Sequence, residues 1–167
     1  MSRLFVPAVV ALALIAAPAA AQEEPEPTPP CETSEEYVTL GIDGKTEEVD
    51  SPPLPSAGQR GEPFDTYSVT NYRYRLDVSG SEENPFATRA NVSIDLEWDN
   101  DGDNELRVYD STDSLLGSST DFMPDYIETV FLIGVPHCTD LRAEIENFLA
   151  PPDLNMTLTS RVSSLKP

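Results

Sequence analysis

From Ala90 to Trp98 the chain alternates with a period of two: Ala90, Val92, Ile94, Leu96 and Trp98 are apolar, while Asn91, Ser93, Asp95 and Glu97 between them are polar. Only an extended strand sends successive side chains to opposite faces, so this run predicts a strand with one buried and one wet face. The wider stretch Asn91 to Ser119, NVSIDLEWDNDGDNELRVYDSTDSLLGSS, continues in the same sense. An acidic turn over Asp99 to Asn104 leads into Leu106, Val108 and Tyr109, and a second turn over Asp110 to Ser114 leads to Leu115-Leu116. Strands broken at short intervals by Asp, Asn, Gly and Ser define an all-β class.

The flanking sequence extends that pattern. Tyr72, Tyr74, Leu76 and Val78 alternate with Arg73, Arg75 and Asp77. If this strand pairs with the one after it, Arg73 and Arg75 meet Asp95 or Glu97 across the outer face. Tyr37, Val38 and Leu40, then Asp43-Gly44, then Lys45 to Val49 read as a hairpin with a tight turn. Prolines and glycines between Ser51 and Pro63 mark a long loop, and Ser79 to Phe86 a shorter one. Thr129 to Val135 is almost continuously apolar, as expected of a strand inside a sandwich. Gly117 suits a bulge or bend. Thr139 to Leu149 fits either a helical face or a strand, with strand preferred. Met156, Leu158, Ser160 and Val162 alternate with Thr157, Thr159 and Arg161 and close a sheet. The expected architecture is an antiparallel β-sandwich.

Met1 to Ala21 has a basic start at Arg3, an apolar run from Leu4 to Ala17 and small residues Ala19-Ala20-Ala21 before Gln22, the layout of an export signal. No second apolar run suggests a membrane span after its removal, and the first cysteine lies too far on for a lipid anchor. Residues 22–35 form an acidic, Pro-rich arm, expected to be a disordered, solvated spacer; residues 36–167 make the β-sandwich domain. The formal net charge of −20 repels phosphate backbones, which excludes nucleic acid as a partner. Cys31 and Cys138 are the only cysteines, and in an oxidising compartment they pair in one disulfide, which by loop entropy contributes about 4–5 kcal/mol. The expected product is a secreted monomer, extracellular or periplasmic.

The segments DNELRVYDSTDSLLGSS, IETVFLIGV, TDLRAEIENF and NMTLTSRV resemble the bacterial pre-peptidase C-terminal domain family. Asp103, Leu106, Val108, Tyr109 and Asp110 carry the resemblance, which covers Thr66 to Val162. Two positions depart from it: Asn104-Glu105 replaces an acidic-aliphatic alternation, and Asp113 stands where the turn commonly has glycine, a position Asp can fill in the left-handed region. The resemblance implies a jelly-roll-like sandwich accompanying secreted hydrolases in targeting, adhesion or substrate binding, without catalysis of its own.

Few residues offer chemistry. Asp99, Asp101 and Asp103 alternate within the acidic turn, and Asp110 follows where a twelve-residue calcium loop ends, so these four are the candidate calcium ligands. A metal-free polar turn is the favoured reading of them, because position six is Asn104 and the last acid is not glutamate. His137, the only histidine, lies between Pro136 and Cys138, a setting for a strand end beside a disulfide more than for a catalytic triad. Tyr109 faces outward by parity and is the candidate surface contact for an extracellular polysaccharide or protein. The alternatives to a non-catalytic binding domain are an extracellular hydrolase with an acidic pair and a structural spacer.

Overall fold

The computed structural model describes residues 25–50, 69–98, 104–120, 126–147 and 155–165. The expected export signal, the Ser51 to Pro63 loop and the acidic turn at Asp99 to Asp103 lie outside them. The described strands are β1 (Val38–Leu40), β2 (Lys45–Asp50), β3 (Val69–Leu76), β4 (Arg89–Glu97), β5 (Asn104–Asp110), β6 (Leu115–Ser119), β7 (Ile127–Pro136), β8 (Asp140–Asn147) and β9 (Asn155–Ser164). The ambiguous segment after Thr139 is therefore strand, as preferred; Phe148 and Leu149 lie outside the described residues.

Two sheets form, ordered β1-β3-β8-β5-β6 and β2-β9-β4-β7. Apart from the parallel β1–β3 pair, neighbours run antiparallel. Setting β1 aside, consecutive strands change sheet at every connection but the β5–β6 hairpin, which is the order of an eight-stranded jelly roll. β3 and β4 thus face each other across the core instead of pairing, and Arg73 and Arg75 never meet Asp95 or Glu97. The connection between them is long enough to cross the sandwich end, where Ser81 Oγ accepts from Asn84 N–H at 3.1 Å and Asn84 Nδ2 donates to the Leu165 carbonyl at 2.6 Å.

The Asp43-Gly44 turn is present, but it is a corner and not a hairpin. Gly44 N–H donates to the Gly41 carbonyl at 3.0 Å and Gly44 adopts φ +70°. β1 then lies along β3, Leu40 beside Leu76, while β2 lies along β9 in the other sheet. A two-stranded ribbon this short is marginal alone, whereas each strand gains a full ladder and a buried side chain by extending a larger sheet; Leu40 and Val49 end up 0% and 3% exposed.

The core is the meeting of the two inner faces. Tyr74, Leu76, Leu106, Val108, Leu141, Ala143 and Ile145 come from one sheet, and Val92, Ile94, Leu96, Val130, Leu132, Met156 and Leu158 from the other. Ala90 to Leu96 are 0% exposed at every even position, as the alternation predicts, and Trp98 is 8% exposed. Each such aliphatic side chain contributes about 1.5–3 kcal/mol by leaving water. Gly117 sits opposite the β5–β6 register shift and so close to the other sheet that a Cβ there would lie 2.7 Å from Val130 Cγ1.

The apolar run at Thr129 to Val135 is not an interior strand. β7 is the outer strand of its sheet. Val130 and Leu132, and Val135 beyond a register shift, fill the core, while Phe131 and Ile133 on the other face are 58% and 77% exposed. A run apolar on both faces does not by itself reveal whether the second face is covered.

Candidate functional site

Two features of the same sheet end define the candidate site. The first is the disulfide. Cys31 and Cys138 are bonded with their Cα atoms 5.5 Å apart, across a separation of 107 residues. The Pro-rich arm, expected as a free spacer, is exposed from Pro25 to Pro27 but fastened beyond them. Thr28 N–H donates to the Pro85 carbonyl and its Oγ1 to the Ala87 carbonyl, each at 2.8 Å. A cystine holding position 31 to the body makes those bonds local, so ordering costs the arm little further entropy.

His137 lies against this disulfide in a structural role. Val78 N–H donates to its Nδ1 at 3.2 Å, which leaves the proton on Nε2 to be donated to the Pro29 carbonyl at 2.9 Å. Both ring nitrogens are spent on backbone. Asp77 accepts from Cys31 N–H at 3.1 Å and Ser79 N–H at 2.9 Å. Burial pushes the Asp77 carboxyl up, but these hydrogen bonds outweigh it and hold it below the ordinary value. The Cys31, His137 and Cys138 donors lie within 4.8 Å of one another, but with the sulfurs joined they offer no thiolate to a metal.

The second feature is the outer face of the five-stranded sheet. Alternation on β3, β8 and β5 places Arg73 and Arg75, then Asp140, Arg142, Glu144 and Glu146, then Glu105, Arg107 and Tyr109 on that one face. Arg75 grips Asp140 with two hydrogen bonds of 2.6 and 2.9 Å, the planar fork matching the carboxylate. Its guanidinium lies 5.3 Å from the Tyr37 ring centre. Arg142 donates to Glu144 at 2.6 Å, Asp113 at 2.8 Å and Asn71 at 2.9 Å, and lies 4.3 Å over the Tyr109 ring. Arg107 pairs with Glu105 and Glu146, and Arg73 with Glu36. At the end of this face a hollow of about 200 Å³ opens between Glu36, Tyr37, Arg73, Asp110, Asp113 and Arg142.

Tyr109 is therefore outward, as parity requires, but half-buried under Arg142, with its hydroxyl donating to Glu144 at 3.2 Å. Burial and the Glu144 charge raise its pKa. It is part of a polar network and not a lone exposed ring. Of the candidate calcium ligands, Asp110 is the one among the described residues, and β5, seven residues long, sets about 20 Å of extended chain between it and Asn104. Asp110 Oδ1 accepts from Thr112 N–H at 2.8 Å, Thr112 Oγ1 at 2.7 Å and Ser114 N–H at 3.0 Å, closing the turn and lowering its pKa. Asp99, Asp101 and Asp103 lie outside the described residues. The Asp113 position reads as anticipated: its φ is +60°.

Sequence reasoning passed over Arg142, Asp140 and Tyr37 as site residues. The signal available was alternation of charge on β8, but which strand lies beside β8 is a tertiary fact.

Fold and site together define a disulfide-closed jelly-roll β-sandwich carrying a charged, arginine-rich sheet face. Among solved structures the chain is similar to the pre-peptidase C-terminal domain of a collagenase from Bacillus anthracis, at TM-score 0.45 and 9% identity, over 80% of this chain and 100% of that one. No family model matches the sequence, and no curated protein matches it.

Proposed function

We propose that this chain is an exported, non-catalytic accessory domain that binds an extracellular glycan through the outer face of its five-stranded sheet. The observation that carries the reading is the hollow with its Arg73, Arg142 and Tyr37 walls. Guanidinium and carboxylate groups in fixed planes offer paired hydrogen bonds to neighbouring hydroxyls, and the tyrosine rings offer faces for sugar C–H groups. Four of the ten basic residues gather on this face, in a chain of net charge −20. Arg73 and Asp113 keep 43% and 81% of their side-chain surface in solvent, so both can exchange an internal partner for a ligand. The Cys31–Cys138 bond supports an oxidising compartment.

At the hollow, the Asp110 carboxyl is held below its ordinary value, opposite to the shift a general acid requires. Screening the purified protein against glycan and cell-wall polymer arrays, with a hydrolase panel in parallel, tests the proposal. Binding without turnover is expected, with Arg73→Ala and Arg142→Ala each weakening it about tenfold. Turnover of a bound polymer, or binding indifferent to both substitutions, defeats it.

A further inference from the structure

The end of the sandwich closed by the disulfide gathers one nitrogen and two sulfur donors. Cys31 Sγ, Cys138 Sγ and a ring nitrogen of His137 lie within 4.8 Å of one another, and Cys31 Sγ is 3.4 Å from His137 Nε2. Around a tetrahedral zinc ion, with Zn–S of about 2.3 Å and Zn–N of about 2.0–2.1 Å, a sulfur and a nitrogen stand about 3.5 Å apart. The Cys31–His137 edge already has that length.

Backbone hydrogen bonds, apart from the disulfide, hold all three positions. His137 N–H donates to the Thr88 carbonyl at 2.9 Å and Cys138 N–H to the Leu76 carbonyl at 2.8 Å, which ties the turn after β7 to both sheets. Cys31 N–H donates to Asp77 Oδ2 at 3.1 Å. Breaking the S–S bond therefore leaves two thiols facing one imidazole. Cys138 is exposed, so a small thiol can reach the bond from solvent.

We infer that in the reduced chain Cys31, Cys138 and His137 bind a thiophilic divalent cation of the zinc class, so that disulfide and metal are alternative closures of the same end of the sandwich. Two molecules of a thiol reductant supply two electrons and two protons: the Cys31–Cys138 bond becomes two thiols, and the reductant becomes its own disulfide. The cation then displaces both thiol protons to solvent and takes two thiolates. His137 ligates through Nε2, releasing the carbonyl of the exposed Pro29 to water. Its proton then sits on Nδ1, which gives up the Val78 N–H contact and turns toward Asp77 Oδ1, 3.9 Å away, the carboxylate pairing that orients metal-bound imidazoles. A water completes the shell on the open side at Cys138. Sulfur and imidazole donors select zinc over calcium. Every chain passes through the dithiol state between its synthesis and its oxidation.

Cobalt(II), whose thiolate charge-transfer and d–d absorption report tetrahedral sulfur ligation, tests this on the purified protein reduced with a phosphine. One cobalt per reduced chain is expected, displaced by zinc, and none in the oxidised protein. Far-UV circular dichroism of the zinc-loaded reduced protein should match the oxidised one, and zinc should raise the unfolding temperature of the reduced form alone. His137→Ala should need at least about tenfold more cobalt for half-saturation. Cys138→Ser, at an exposed position, is the second variant: it should lose about half the charge-transfer intensity and weaken binding at least about tenfold, which keeps the test decisive if His137→Ala fails to fold. No thiolate spectrum on reduction, a spectrum indifferent to His137, or equal binding by the oxidised protein overturns the inference.

Discussion

Tyr74 shows how one residue can belong to both the core and a polar contact. Its ring is 1% exposed between the sheets, yet its hydroxyl donates to Glu47 Oε2 at 2.6 Å, joining β3 of one sheet to β2 of the other. Burial and the Glu47 charge push the Tyr74 pKa far up. Glu47 moves the other way: burial alone would raise it, but hydrogen bonds from Lys45 and Tyr74 prevail and lower it. Tyr74→Phe keeps the packing and removes one bond, so urea denaturation should show a loss of about 0.5–1.5 kcal/mol. Glu47, Asp77 and Asp110 all have folded pKa values below those of the unfolded chain, about 4.3 for Glu and 3.9 for Asp. Their contribution is complete above that range and is lost as pH falls through the folded values. Stability should therefore be flat near neutrality and decline below about pH 4, and Asp77→Asn should shallow that decline.

At the scale of elements, the corner at Gly44 decides where β2 goes. A Cβ there would lie 2.3 Å from the Ser160 carbonyl oxygen, and φ is +70°, so strain and overlap act together. Gly44→Ala should cost at least about 2 kcal/mol and loosen β2 from β9, visible as faster amide exchange in β2. Gly117→Ala meets side chains and no backbone, Val130 Cγ1 at 2.7 Å and Leu132 Cδ2 at 3.4 Å, in a backbone conformation any residue can adopt; its cost in the same denaturation series should be smaller. The strands themselves are legible from alternation: β3, β4, β5 and β9 lie where period-two runs placed them. Their partners are not. Arg161 of β9, rather than Arg73 or Arg75, pairs with Asp95, which also accepts from Thr129 Oγ1 at 2.9 Å and Ser93 Oγ at 3.1 Å. Any basic residue on any neighbouring strand could have satisfied Asp95 as far as spacing shows.

For the whole molecule, the disulfide closes one end of the sandwich and holds the arm on it. Cys31→Ser with Cys138→Ser should lower unfolding free energy by about 2–5 kcal/mol. Reduction or that double substitution should also expose the chain near Thr28 to proteolysis, because hydrogen bonds alone, two at Thr28 and one at Pro29 among them, then hold the arm. Proteolysis at Thr28 no faster than in the oxidised parent would show that the bonds suffice alone.

Local order in this protein was already determined by the sequence: where strands lie, which face of β4 is core, that Asp113 tolerates a left-handed turn, and that two cysteines form one bond. Alternation and turn chemistry are short-range properties, and each residue carries them with it. Tertiary structure alone decided the rest. It sent β3 and β4 to different sheets, converted a hairpin into a corner, placed an apolar strand at an edge, and gathered Arg73, Arg142 and Tyr37 around one hollow. Those outcomes depend on which strands share a ladder, a competition among long-range pairings settled by burial of whole faces, to which no residue's own neighbours in sequence can testify.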